Sequence, residues 1–342
     1  MKLLRFLLFP LAILYGIITS VRNWFFDIGV LKATSFKIPV IAVGNLSVGG
    51  TGKSPQIEFL IRLLKDTHKV AVLSRGYKRK TRGFQVVNDI HLATDVGDEP
   101  LQFYKKFKNE VTIAVDADRA NGIQQLLKSN NSPDIVLLDD AFQHRKVKAH
   151  TYILLTKYND LYVDDFMLPT GNLRETRSGA KRADVIIVTK CPENLTDEKQ
   201  QQIRARIKPK KHQKLFFTTI CYDENLKGNK EQLTIAGLKD KEVLLITGIA
   251  NPVSLLSFLS EENIKYKHLK YPDHYNFTVN DIDAIKKAFN NLKFTNKVII
   301  TTEKDFMRLE DKIKNICYIS IKSVFLNSEK IFTNFIVNKI KG

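Results

Sequence analysis

Short runs of apolar residues recur along this chain, separated by stretches in which apolar positions return every three or four residues. The runs at 38–43, 69–73, 111–115, 134–138, 151–155, 184–189 and 214–219 predict strands. The stretches near 52–65, 98–107, 117–128 and 196–207 predict helices. Runs that are apolar at every position belong to strands covered on both faces, so the alternation predicts a mostly parallel sheet between layers of helix. After a polar stretch at 221–241 the pattern starts again. Strands are expected at 243–247, 266–270, 297–301 and 316–320, with helices near 252–260, 279–290, 303–310 and 328–340. The expected architecture is α/β: two α/β/α sandwich domains, a larger one over 26–220 and a smaller one over 242–342, joined by a linker at 221–241. A substrate would then bind in the cleft between them.

The turn after the first strand carries the most specific chemistry. Ser47-Val-Gly-Gly-Thr-Gly-Lys-Ser54 follows the apolar run Ile38–Val43 and leads into the helical stretch Gln56–Leu64. The small residues let the backbone from Ser47 through Val48, Gly49, Gly50, Thr51 and Gly52 curl its N–H groups around phosphate. Lys53 adds a positive charge, and the Ser54 hydroxyl can ligate Mg²⁺. The following helix aims the positive end of its dipole at the same anion. Strand–loop–helix is the setting this motif requires, so the larger domain reads as P-loop NTPase-like. Ser47 stands where the usual pattern has its first glycine.

The 342 residues carry a formal net charge of +18, which calls for an anionic partner: nucleic acid, an acidic membrane surface or a phosphorylated substrate. Three widely separated cysteines, Cys191, Cys221 and Cys317, show no metal spacing and no disulfide framework. The N-terminus holds an uncharged apolar run, Phe6–Thr19, with Lys2 and Arg5 before it and Arg22 after it. A signal peptide, a membrane span, a buried core helix and an in-plane anchor all begin this way. Export would strand the nucleotide site away from ATP, and a span needs ~20 apolar residues. The expectation is a membrane-associated helix over 1–25, entering from the cytosolic side, with Trp24-Phe-Phe26 among the headgroups.

Other segments admit both a chemical and a plain structural role. Asp134–Asp140 is an apolar strand ending in Asp139 and Asp140, which either help hold Mg²⁺ or make an ordinary turn. In Asp95-Val-Gly-Asp-Glu-Pro100, Asp98 either caps a helix or accepts the proton of an attacking hydroxyl. The basic loop Ser74–Gly83 lies at the mouth of the sheet and suits an anionic ligand, or is simply solvated. His144 and Arg145 follow the paired carboxylates. Arg174 either meets phosphate or pairs with Glu175. Asp273–His274 lies in a polar loop of the second domain, from which it could reach across the cleft and tune an acid or base. A membrane-recruited P-loop ATPase switch is the competing reading. Guanine specificity is disfavoured because Thr189-Lys-Cys-Pro192 has Pro where the guanine motif has Asp.

Taken in order, these segments resemble the tetraacyldisaccharide 4′-kinase family of the lipid A pathway. The resemblance rests on the basic-flanked N-terminus, Val43–Pro55, Leu73-Ser-Arg-Gly-Tyr77, Val96–Pro100, Val115-Asp-Ala-Asp-Arg119, Leu137-Leu-Asp-Asp-Ala-Phe-Gln-His144, Pro169–Glu175 and Pro272-Asp-His274. It also accounts for Ser47, which belongs to the family's own form of the loop. It implies ATP- and Mg²⁺-dependent phosphorylation of the 4′-hydroxyl of an acylated glucosamine disaccharide 1-phosphate. It implies Asp98 as catalytic base with His274 as its partner, Lys53 on the phosphates, and Ser54, Asp139 and Asp140 at the metal. Tyr77, Arg119, His144, Arg174 and Glu175 are expected to line the substrate cleft. The expected partners are the lipid substrate and the inner-membrane surface at its cytoplasmic face, with no nucleic acid and no obligate protein partner.

Overall fold

The computed structural model describes residues 5–228 and 233–341. Lys2, at the basic flank of the N-terminal run, and positions 229–232 of the expected linker lie outside the described residues. The expected alternation is present. The first sheet is built from β1 (Val40–Asn45), β2 (Val70–Ser74), β3 (Gln85–Val86), β4 (Thr112–Val115), β5 (Ile135–Asp139), β6 (Thr151–Lys157), β7 (Val185–Thr189) and β8 (Lys214–Tyr222). Its helices are α2 (Lys53–Leu64), α3 (Asp98–Phe107), α4 (Arg119–Lys128) and α5 (Asp197–Ile207), with α1 (Phe9–Asp27) preceding them. Strands β1, β2, β4, β5, β6, β7 and β8 run parallel, and β1, β2, β5 and β7 are buried throughout. That two-sided burial is why their sequences are apolar up to the polar residue that ends each one, Asn45, Ser74, Asp139 and Thr189.

The second sheet comprises β9 (Lys227–Gly228), β10 (Glu242–Thr247), β11 (Tyr266–Lys270), β12 (Lys297–Thr302) and β13 (Ile316–Ile319), in the order β11-β10-β12-β13-β9. Its helices are α6 (Val253–Glu261), α7 (Val279–Asn290) and α8 (Glu303–Leu309). The boundary expected at 242–342 needs correction. Strand β14 (Ile321–Phe325) pairs antiparallel with β8 and completes the first sheet, in the order β14-β8-β7-β6-β1-β5-β2-β4-β3. The final helix, α9 (Glu329–Lys341), follows it back. Phe332 stacks on Phe325 and meets Phe59 and Phe216 edge-on, so this segment closes the larger domain's core. The chain therefore crosses between the sheets twice. The crossings run side by side, joined by the Asp223 N–H donating to the Ser320 carbonyl (2.9 Å).

Helices α3 and α8 form the contact between the two sheets near the cleft. Phe103, Phe107, Phe306 and Met307 are buried in one apolar cluster there. Beside them Lys106 Nζ lies 2.7 Å from Glu58 and 2.9 Å from Glu303, with both carboxylates buried. Lys106→Met leaves the buried Glu303 without its ion pair, while Glu58 keeps Arg62 (2.8 Å) and Gln102 (3.0 Å), and is expected to cost about 3 kcal/mol of stability, measured by urea unfolding. Burial and the Glu58 charge push Glu303 up to about 7, against the attraction of Lys106 and Lys227. A carboxyl raised in the folded state binds its proton more tightly there than in the unfolded chain. Its stabilisation is therefore full below about pH 4.5 and lost as pH rises through about 7. The urea midpoint is expected to fall between pH 5 and about pH 8, with a shallower slope in Glu303→Gln.

Helix α1 is amphipathic in reverse. Its buried positions are Ala12, Gly16, Thr19 and Asn23, while Leu11, Leu14, Ile17, Ile18, Val21 and Trp24 face outward. Polar bonds fix it to the domain. The Tyr15 hydroxyl donates to the Arg174 carbonyl (3.0 Å), and Asn23 Nδ2 donates to Glu175 Oε2 (2.9 Å). Phe6 and Phe9 lie edge-on to Phe166, itself exposed at a loop tip, so the outward apolar surface extends beyond the helix.

Candidate active site

The phosphate-loop residues sit at the carboxyl edge of the first sheet, where β1, β2, β5 and β7 all end, the edge at which open α/β sheets bind ligands. Gly52 precedes α2 with φ +86°, a left-handed conformation that a side chain would strain. The Thr189 hydroxyl, at the end of β7, donates to the Thr51 carbonyl (2.8 Å) and fixes the loop to a neighbouring strand. Lys53 Nζ donates to Asn45 Oδ1 (3.3 Å) and lies 3.7 Å from Asp140, which aims the ammonium back over the loop.

The two carboxylates that end β5 behave differently. Asp139 is buried, and the Ser74 hydroxyl donates to its Oδ2 (2.9 Å). Its Oδ1 is buried without a hydrogen-bond partner. Burial, then Glu99 and Asp140, push Asp139 up to about 7. Asp140 (φ +47°) receives a two-pronged bond from Arg174, at 2.8 and 3.2 Å. Burial would raise Asp140, but Lys53 and Arg174 hold it below its ordinary value. The sequence reading places both at the metal. Asp140 has both oxygens engaged by Arg174 and orients two cations, while Asp139 offers a free oxygen.

Glu99, which the sequence reading passed over, fills the remaining place. Its Oε1 accepts from the Ser54 hydroxyl (3.2 Å) and from Lys304 Nζ. Burial would raise it, yet Lys304 and Lys53 prevail and hold it at about 2. Ser54, Glu99 and Asp139 thus supply oxygen donors, one of them orphaned, which fits a hard cation such as Mg²⁺. Among the described residues no cluster of three or more His, Cys, Asp or Glu could hold a metal by itself.

Asp98 is the first residue of α3, but it does not cap the helix, whose N-cap is Gly97 with φ +95°. A Cβ at Gly97 would come 3.2 Å from the Tyr77 carbonyl, so glycine lets the 74–77 loop pass beside the carboxylate. His274 crosses from the second domain, and its Nδ1 donates to Asp98 Oδ2 (2.8 Å). A carboxylate only accepts, so Nδ1 carries the hydrogen. Arg308 Nε lies 3.5 Å from Asp98 Oδ1 and also comes from the second domain. The Tyr77 ring, largely exposed, meets His274 edge-on.

Two residues expected to line the cleft do not face it. Glu175 is fully buried. Its Oε1 accepts from Gln143 and Arg182 (2.8 Å each), and its Oε2 from Arg182 (2.8 Å) and Asn23 (2.9 Å), so it anchors α1. Arg119 is 2% exposed and donates to the carbonyls of Asp116 (2.9 Å) and Asp139 (3.4 Å), bracing β5 from behind. Burial lowers Arg119 to about 10, with Asp139 and Asp140 opposing. His144 is half-buried, with Nε2 unpartnered. Burial and then the Arg119 charge lower it to about 4, so it is neutral at pH 7.

A family model described as tetraacyldisaccharide-1-P 4′-kinase matches residues 4–341. A tetraacyldisaccharide 4′-kinase of Flavobacterium johnsoniae is 54% identical over all of this chain and 98% of its own length. One from Bacteroides thetaiotaomicron is 44% identical over 88% of this chain and 82% of its own. Among solved structures, the LpxK protein of Aquifex aeolicus in complex with ATP superposes with a TM-score of 0.79 at 31% identity. That match covers 98% of this chain and 99% of the other.

Proposed function

The chain belongs to the tetraacyldisaccharide-1-P 4′-kinase family, and from that membership we propose how its own residues perform the reaction. It is an ATP-dependent kinase of the lipid A pathway that phosphorylates the 4′-hydroxyl of a tetraacyl glucosamine disaccharide 1-phosphate. The observation that carries the site assignment is the Asp98–His274 bond, which joins a carboxylate beside the phosphate loop to a histidine from the other domain.

In the proposed step the 4′-oxygen forms a bond to the γ-phosphorus while the bond from that phosphorus to the β–γ bridging oxygen breaks. The bond's electron pair leaves with ADP. Asp98 accepts the hydroxyl proton, and His274 fixes the orientation of the carboxylate. The loop N–H groups and Lys53 stabilise charge on the transferring group. Ser54, Glu99 and Asp139 are the residues suited to Mg²⁺, which supplies charge neutralisation on the phosphates when bound. Because His274 and Arg308 arrive with the second domain, the full constellation requires the two domains together. This arrangement limits transfer to water.

The outward apolar face of α1 supports a membrane-surface location, at the cytoplasmic face of the inner membrane, where an acylated acceptor resides. Replacing Leu14 and Ile18 with glutamate is expected to move the protein from the vesicle pellet to the supernatant with ATP affinity unchanged. Continued pelleting at high salt would contradict this location.

The activity itself is tested with γ-labelled ATP and the acylated disaccharide 1-phosphate. Label in the extracted lipid is expected; release as free phosphate alone would favour an ATPase switch.

A further inference from the structure

The charge pairs along α3 and α8 do not all serve the same purpose. Lys106 and Glu303 lie deep in the contact, each less than a tenth exposed. Lys304, one position on, has a side chain about a third exposed (32%) and points into the cleft. Its ammonium and the Ser54 hydroxyl converge on a single atom, Glu99 Oε1. It therefore sits opposite the phosphate loop, close enough to Asp139 and Asp98 to be stabilised by both carboxylates. It also lies close enough to Lys190, whose charge Lys53 likewise repels, for the two to repel each other. Positive charge gathered around one polar gap, and contributed by both domains, suits a polyanion.

Building on the kinase reading above, we propose that Lys304 is a catalytic residue that the second domain delivers to the γ-phosphoryl group, exchanging Glu99 for phosphate oxygen during transfer. Glu99 is the anion that the lysine meets in this structure, and it keeps the ammonium extended toward the loop. With nucleotide bound, the ammonium neutralises charge that builds on the equatorial oxygens, the role a cation supplied across an interface plays in phosphoryl transfer. Because Lys304 rides on α8, its contribution is present only when the domains are together. Charge stabilisation is thus tied to arrival of His274 on the same domain.

The test compares Lys304→Ala, Lys304→Met and Lys304→Arg in full-length protein. It measures kcat and KM with both substrates, and the affinities for ADP–aluminium fluoride and a non-hydrolysable ATP analogue with Mg²⁺. Loss of Lys304 is expected to lower kcat by about 10²–10³-fold. Affinity for ADP–aluminium fluoride should fall in parallel, while analogue affinity stays within about threefold and arginine restores part of the rate. Unchanged kcat would overturn the proposal. So would equal losses of affinity for the analogue and for ADP–aluminium fluoride, which mark a lysine that merely braces Glu99. Lys304→Met keeps the aliphatic stem and serves if the alanine variant does not fold. A wild-type protein that labels no lipid would instead overturn the kinase reading.

Discussion

Asp98→Ala lowers the rate of phosphoryl transfer by about 10²–10⁴-fold, the range of a lost general base, and leaves ATP affinity within about threefold. The expectation follows from what Asp98 touches. It makes no capping bond to its own helix, and its hydrogen bond goes to His274 of the other domain. Nothing in the phosphate loop hydrogen-bonds to it, so nucleotide binding does not depend on it. Asp98→Asn retains the shape but cannot take the proton, so it should be as impaired as alanine. His274→Ala removes only the partner and should cost less than loss of Asp98. Stopped-flow single-turnover rates, read beside nucleotide affinity by calorimetry, check both points. Full activity in Asp98→Ala would remove it as the base.

Lys53→Met should reduce kcat by about 10²–10³-fold, the cost of removing one preorganised charge from a transferring group, and should weaken ATP binding as well. This ammonium is oriented by protein groups. Asn45 accepts from it, and Asp140 lies 3.7 Å away, itself held by Arg174. Removing Lys53 also leaves Asp140 and Glu99 with less positive charge to offset their burial, so both should titrate higher in the variant. The contrast with Asp98 is diagnostic. Lys53 acts on the ground state and on the transition state, so KM for ATP and kcat both move. Asp98 acts on the proton alone.

The elements were legible in the sequence because parallel strands buried on both faces leave unbroken apolar runs. The phosphate loop was legible because its residues are consecutive. The return of β14 and α9 to the first sheet was not. Ile321–Phe325 follows β13 almost directly, and local pattern does not say which sheet edge a strand will join. Glu175 and Arg119 carried motif positions that suggested the cleft. Their burial depends on partners well separated in the chain, Asn23 and Gln143 in one case and the Asp139 carbonyl in the other. Glu99 was hidden beside the more conspicuous Asp98. The available signal was that both occupy the first turn of one helix, whose positive end favours carboxylates. Lys304 and Arg308 lie in a stretch read only as a helix; what makes them part of the site is the packing of α8 against α3.

The central claim is that this two-domain cleft carries the γ-phosphoryl group to one particular sugar hydroxyl. The most direct test is phosphorus–proton correlation NMR on the lipid product formed by the wild-type chain from ATP and the acylated disaccharide 1-phosphate. The account predicts one new monoester phosphorus coupled to H-4′, absent when Asp98→Ala is used. A new phosphorus coupled to another sugar proton, or joined to the 1-phosphate as a diphosphate, would contradict it.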